Sequence, residues 1–220
     1  MSRVVILIPH RDHSDYRDFW NWWWRTMEKP SDAGFLEGRG YDLVTQRNSL
    51  AEHALKTDAE YMFWLDDDMI GPSNTLTSLI THRELLNATQ PTPILAGLYM
   101  SKKAHGARGL AAWQKSVTPG KTPWEKESFG YVPIVREQQG RFISVDVTGL
   151  GCALIHRSVF EKLSRPWFEW GEPTSGPSED FMFFEKVWRE LKVKPVVDME
   201  CKFEHIGVFK MNVDGEFNPI

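Results

Sequence analysis

The stretch YMFWLDDDMIGPS, residues 61–73, decides how this chain is to be read. An apolar run from Tyr61 to Leu65 passes directly into Asp66, Asp67 and Asp68. Such a run has the pattern of a strand buried on both faces, as in a parallel sheet. In an open α/β sheet, ligands bind just beyond the carboxyl ends of the strands. Adjacent carboxylates at such an end repel one another, so joint ionisation calls for a cation or strong donors nearby. Oxygen ligands select a hard divalent ion, Mg2+ or Mn2+, of the kind that bridges carboxylates and a diphosphate. If the chain stays extended, Asp66 and Asp68 point to one side and Asp67 to the other. The bland alternative is a solvated polar turn. A calcium hand is excluded, because Ile70 and Thr77 stand where that loop needs an oxygen ligand and a bidentate acid.

The flanking sequence alternates strand and helix. VVILIP (4–9) is a second buried strand, ending at Pro9. In YRDFWNWWWRTMEK, helical spacing puts Tyr16, Phe19, Trp20, Trp23 and Met27 on one core-facing stripe, with Trp22 and Trp24 on its shoulders. Residues 30–44 are glycine-rich and read as loop with a short strand at YDLV. TQRNSLAEHALKT and SNTLTSLITHRELLNA are helices, the second opening on a Ser/Asn cap. ILAGLYM (94–100) is a strand. Residues 101–128 read as an irregular, mobile loop made basic by Lys102, Lys103, His105, Arg108, Lys115, Lys121 and Lys126. Strands near 131–135 and 142–147, TGLGCALI, a short helix from Ser158, the helix EDFMFFEKVWRELK, and KPVVDM with CKFEHIG close the sheet. The sum is an α/β domain with a mostly parallel sheet.

Bulk properties agree. The 220 residues suffice for one sizeable core, and 41% hydrophobic with 25% charged residues is an ordinary globular balance. A net charge of −4 argues against a protein that coats nucleic acid. Cys152 and Cys201 form neither a disulfide framework nor a zinc motif and are expected to be buried and reduced. The first apolar run is too short for a signal peptide or a membrane span, so a cytoplasmic location is expected.

An apolar strand ending in Asp-x-Asp, with Arg47–Asn48 upstream at a helix start, resembles the nucleotide-sugar glycosyltransferases of the GT-A fold. The likeness is greatest to the small family-2-like enzymes of bacteria and their viruses. It continues in order through ILAGLYMSKK, VTGLGCALIHRSVFEKL, PWF, SEDFMFFEKV and VVDMECKFEHIG, and is densest over 45–207. The resemblance implies a single GT-A (Rossmann-like) domain with helices on both faces of the sheet. Residues 1–100 would be the nucleotide-sugar-binding half, 101–128 a mobile basic loop, and 129–220 the acceptor-binding half.

It also implies roles. Asp66 and Asp68 would hold the metal, Mn2+ or Mg2+, with His205 as a further ligand. Asp66, Asp67, Arg47 and Pro9 would lie along the nucleotide diphosphate, and Lys102, Lys103 and Arg108 would close over it. Gly149, in GLG, would let the backbone approach the donor sugar or acceptor. Glu179–Asp180 match the acidic pair near the acceptor hydroxyl, with Asp180 as general base in inverting members. Each has a plain alternative: a surface arginine, a satisfied histidine, or acids favoured in the first turn of a helix. The pattern departs from the family where an acid on the second strand reads the base, since only Asp42 offers itself there. The donor base, the sugar, the anomeric outcome and the oligomeric state stay open. The acceptor is a glycan, a small molecule or a modified DNA base. Two rivals are a non-catalytic carbohydrate-binding protein and a sugar-1-phosphate nucleotidyltransferase. The latter is disfavoured because IPHRDHSD lacks the glycine-rich phosphate loop.

Overall fold

A computed structural model describes residues 3–10, 17–87, 92–101, 109–118, 128–134, 140–171, 178–206, 209–211 and 217–219. In chain order, β1 (Val4–Pro9), α1 (Arg17–Arg25), β2 (Gly34–Gly38), α2 (Leu43–Leu55) and β3 (Tyr61–Leu65) lead to a short β4 (Met69–Ile70) and α3 (Thr75–Leu86). Then come β5 (Ile94–Leu98), β6 (Ala112–Thr118), β7 (Ser128–Pro133), β8 (Phe142–Ser144), β9 (Val147–Thr148), β10 (Cys152–His156) and α4 (Ser158–Lys162). The chain closes with α5 (Glu179–Leu191), β11 (Val196–Lys202), β12 (Glu204–His205), β13 (Phe209–Met211) and β14 (Phe217–Pro219).

Seven strands form the central sheet in the order β2-β1-β3-β10-β5-β11-β8. Five run the same way, while β10 and β8 oppose them, so the expected α/β class with a mostly parallel sheet is the one observed. The apolar runs are buried on both faces, as their composition required. Val4, Ile6 and Ile8 of β1 pack with Phe19, Trp22 and Trp23 of α1 and Leu76 and Leu79 of α3. Val5 and Leu7 face the opposite layer, where α2, α4 and α5 supply Leu50, Phe160, Phe183 and Phe184. Both cysteines are buried and free. Among the described residues, no helix is long and apolar enough to cross a membrane.

The topology gathers one edge. Strands β1, β2, β3, β5 and β11 all end there, and antiparallel β10 begins there, bringing Gly149–Gly151 up to the end of β3. The Asp66 amide donates to the Gly151 carbonyl at 3.0 Å. Beyond this edge β4 pairs with β12 in a second, four-stranded sheet, setting His205 opposite Met69.

Four local expectations change. The strand near 30–44 is Gly34–Gly38, paired in parallel with β1, whereas YDLV opens α2, with Asp42 as its N-cap. The segment 101–128 contains β6, which pairs antiparallel with β7 and β9. Its register rests on partners distant in sequence, so its own composition reads as loop. CKFEHIG does not stay in the main sheet: β11 ends at Lys202 and Glu204–His205 cross to the second sheet. Trp22 is core rather than shoulder, while Trp24 stays exposed. Tyr16, Lys102, Lys103, His105, Arg108, Lys121 and Lys126 lie outside the described residues.

Candidate active site

The three aspartates do not alternate along an extended chain. Asp67 and Asp68 form a turn between β3 and β4, closed by the Met69 amide donating to the Asp66 carbonyl at 3.2 Å. The turn sends each carboxylate to a different partner, which relieves the repulsion that three charges in a row would suffer. Asp66 meets Arg47, Asp67 meets His10, and Asp68 meets His205.

Arg47 lies one turn into α2 with its side chain only 1% exposed. Its Nη2 donates to Asp66 Oδ1 at 3.0 Å. Its Nε is 3.5 Å from Glu179 Oε1, and Nη2 is 3.8 Å from Asp180 Oδ1. A buried guanidinium is tolerated here because three carboxylates surround it, and their charge holds it protonated more firmly than usual against the penalty of burial. The sequence left Arg47 between a nucleotide contact and a surface residue. It is neither on the surface nor against bulk water, because its partners come from elements distant in the chain.

Glu179 and Asp180 start α5, where acids also suit the helix dipole. Asp180 Oδ2 accepts from the Leu150 amide at 3.3 Å. Burial, then the neighbouring Glu179, pushes the Asp180 carboxyl well above the ordinary aspartate range, with Arg47 opposing. Between Asp180 and His205 stands Tyr99, the first residue after β5, which the sequence reading did not single out although it occupies a strand end at this edge. Its hydroxyl accepts from the Gly151 amide at 3.1 Å. Burial and the charges of Asp180 and Asp66 push this phenol well up, so it keeps its proton.

Gly149 explains the GLG motif. A Cβ at this position would fall inside the van der Waals shell of the Tyr99 hydroxyl, and one at Gly151 would sit 3.0 Å from it. Gly149→Ala should therefore destabilise the fold by about 1–3 kcal/mol, the range for overpacking a close-fitted site. Chemical denaturation would measure it. A variant as stable as the parent would mean that Tyr99 moves freely.

At His205, Nδ1 lies 2.8 Å from the Met100 carbonyl, which only accepts, so Nδ1 carries the proton. In the neutral ring this leaves a lone pair on Nε2, 3.4 Å from Asp68 Oδ2. Two acceptors facing each other at that spacing suit a shared cation, and a backbone carbonyl orienting the imidazole is the usual second support of a metal-binding histidine. Among the described residues, no three His, Cys, Asp or Glu side chains converge as a ready metal centre. The donor set fits a hard divalent ion held by one or two protein ligands, the remainder coming from water and phosphate.

Asp67 is buried against His10, whose Nδ1 lies 3.1 Å from Asp67 Oδ2 and whose Nε2 lies 2.6 Å from Glu37 Oε1. Burial raises the Asp67 carboxyl, and the His10 hydrogen bond partly offsets it. The His10 ring stacks on Trp20 at 5.2 Å. Glu37, not Asp42, is thus the acid of the second strand. It went unread because GFLEG looks like loop. Asp42 accepts from the Val44 and Thr45 amides at 3.1 and 3.2 Å, and the Thr45 hydroxyl is the main reason its carboxyl is lowered. Pro9 closes β1 opposite Gly38.

One pocket of about 290 Å3 collects Asp66, Tyr99, Ser101, Ala111, Trp113, Gly149, Ser178, Glu179, Asp180, Phe181 and His205. Arg47, Asp67, Asp68, Asp42 and Pro9 do not line it; Asp68 reaches its rim only through His205, and Arg47 only through Asp66, Glu179 and Asp180.

No protein-family model matches the chain. No curated protein matches it either. Among solved structures it is similar to A197 from STIV, with a TM-score of 0.63 and 19% identity over 99% of this chain and 93% of that one. GalNAc-T7, solved with UDP, GalNAc and Mn2+, gives a TM-score of 0.49 and 12% identity over 90% of this chain, which spans 42% of that longer chain. The likeness to A197 establishes a shared fold along nearly the whole of both chains.

Proposed function

We propose that this protein is a metal-dependent glycosyltransferase of the GT-A type, moving a sugar from a nucleotide-diphosphate sugar to an acceptor hydroxyl. One observation carries the reading. Asp66, Gly149, Glu179–Asp180 and His205, which the sequence motifs single out across the chain, line a single pocket, with Arg47 tying Asp66 to the Glu179–Asp180 pair.

Asp68 and His205 Nε2 would hold the divalent ion, whose contribution is to neutralise charge on the leaving diphosphate. Arg47 fixes Asp66 and the start of α5 relative to each other. Asp180, held by the Leu150 amide, takes the proton of the acceptor hydroxyl as that oxygen bonds to the anomeric carbon. The bond from that carbon to the phosphate oxygen breaks, and its electron pair leaves with the diphosphate. A carboxyl raised above its ordinary range is better matched to this role near neutral pH than an ordinary aspartate. His10 and Glu37 stand at the ends of β1 and β2, where the nucleoside would lie.

Thermal unfolding with UDP, GDP, dTDP and CDP, each with and without Mn2+, tests the reading. The expected result is a shift for one nucleotide only when metal is present. At a hundredfold excess over the dissociation constant the gain is about 2.7 kcal/mol, or roughly 5–10 °C for a chain of this size. His205→Ala should remove the metal-dependent part. A folded sample that responds to no nucleotide would overturn the proposal.

A further inference from the structure

We infer that the side of the pocket formed by Trp113 and Phe181 seats an uncharged saccharide acceptor, one face of a pyranose ring lying on these aromatics. The inference rests on the transferase reading and deepens it.

Trp113 comes from β6 and Phe181 from the first turn of α5, and their ring centroids are 4.8 Å apart at 52°. Tyr131 of β7 braces Phe181 edge-on at 5.0 Å. Trp113 is only partly buried and lines the pocket beside Ala111. Trp113 of β6 and Phe181 of α5 thus form an apolar side of the pocket that also holds Asp180. The rest of the lining is polar and includes the His205 imidazole. Ser101, Ser178 and the Tyr99 hydroxyl stand with the carboxylates of Asp66, Glu179 and Asp180.

That lining selects the ligand. A sugar ring has apolar C–H faces and a rim of hydroxyls that donate and accept, which matches an aromatic wall beside hydroxyls and carboxylates. Among the described residues, no lysine or arginine lines the pocket, whereas three carboxylates do. With Arg47 already paired to these carboxylates, the described lining offers a nucleic-acid acceptor no lysine or arginine of its own, unlike the basic surfaces from which such ligands gain affinity. The donor's nucleoside end belongs elsewhere, towards His10 and Glu37.

Saturation-transfer NMR on the full chain with UDP and Mg2+ tests this, using the methyl glycosides of glucose, galactose, mannose and N-acetylglucosamine. A short DNA oligonucleotide serves as the competing probe. At least one glycoside should receive saturation concentrated on one ring face. Trp113→Ala should weaken its binding roughly tenfold, the effect of losing one stacked ring, and Trp113→Phe should restore much of it. Trp24→Ala, an exposed tryptophan on α1, should change nothing. If Trp113→Ala does not fold, Phe181→Leu and the wild-type saturation pattern decide. Absence of any glycoside signal, uniform saturation of the ring, indifference to the wall variants, or displacement by the oligonucleotide would each overturn the inference. Its failure is separable from that of the transferase reading. A nucleotide–Mn2+ thermal shift without glycoside binding removes the acceptor and leaves the donor site. Glycoside binding without any nucleotide shift leaves a sugar site on a protein that is not a transferase.

Discussion

Arg47→Ala should lower the stability of this protein by about 3–5 kcal/mol, the cost of breaking a buried ion pair by removing one partner. The guanidinium is nearly inaccessible and stands within 3.0–3.8 Å of Asp66, Glu179 and Asp180. Removing it leaves these acids facing one another around a cavity below the pocket floor, with the face of Trp64, 5.6 Å from the guanidinium carbon, losing its neighbour. Arg47→Lys should fall between, because one ammonium cannot serve Asp66 and Glu179 with the spread of a planar fork. Activity should fall in both variants, since the Asp66 and Asp180 carboxylates lose their common support. Urea denaturation at neutral pH is the measurement. A loss under about 1 kcal/mol, the value of an exposed pair, would show that water reaches the cluster and that Arg47 does not organise it.

Asp180→Asn should separate chemistry from folding. Removing a general base typically lowers turnover by about 10²- to 10⁴-fold. The same change should not weaken the protein near neutral pH and is expected to strengthen it, because burial and Glu179 disfavour the ionised carboxyl. The sign follows from linkage. The folded-state pKa lies above the unfolded value near 3.8, so the contribution of Asp180 to stability is fully present below that value and lost as pH rises through the folded one. In Asp180→Asn this alkaline loss disappears. Catalysis has the opposite dependence: only the carboxylate accepts a proton, so kcat/KM should climb with pH along a limb lying above the ordinary carboxylate range. Turnover retained in Asp180→Asn, or an acid limb at the position of a free aspartate, would remove Asp180 from the base role.

Both experiments turn on long-range neighbours, and there the legibility of the sequence ends. VVILIP and YMFWL specified strands buried on both faces, because no other element tolerates an unbroken apolar run so short. The run of aspartates marked the edge where the pocket forms, since charge at a buried strand end needs a reason. What those aspartates do was not legible. A one-residue difference in backbone direction decides whether Asp66 and Asp68 share a ligand, and the turn at Asp67–Asp68 gives each a separate partner. GFLEG and the segment carrying Trp113 became strands only through pairing with β1, β7 and β9, to which their local composition gives no clue.

The sequence by itself determined the α/β class, the two-sided core and the edge where acidic side chains gather, because hydrophobic periodicity and strand-end charge act locally and survive in any fold built from these elements. Tertiary structure alone decided that Arg47 is buried among three acids, that Glu37 rather than Asp42 is the acid of the second strand, and that Tyr99 and Trp113 complete the pocket. Each of these depends on which distant groups come within hydrogen-bonding or van der Waals reach, and that is fixed by strand order and register rather than by the residues adjacent in the chain.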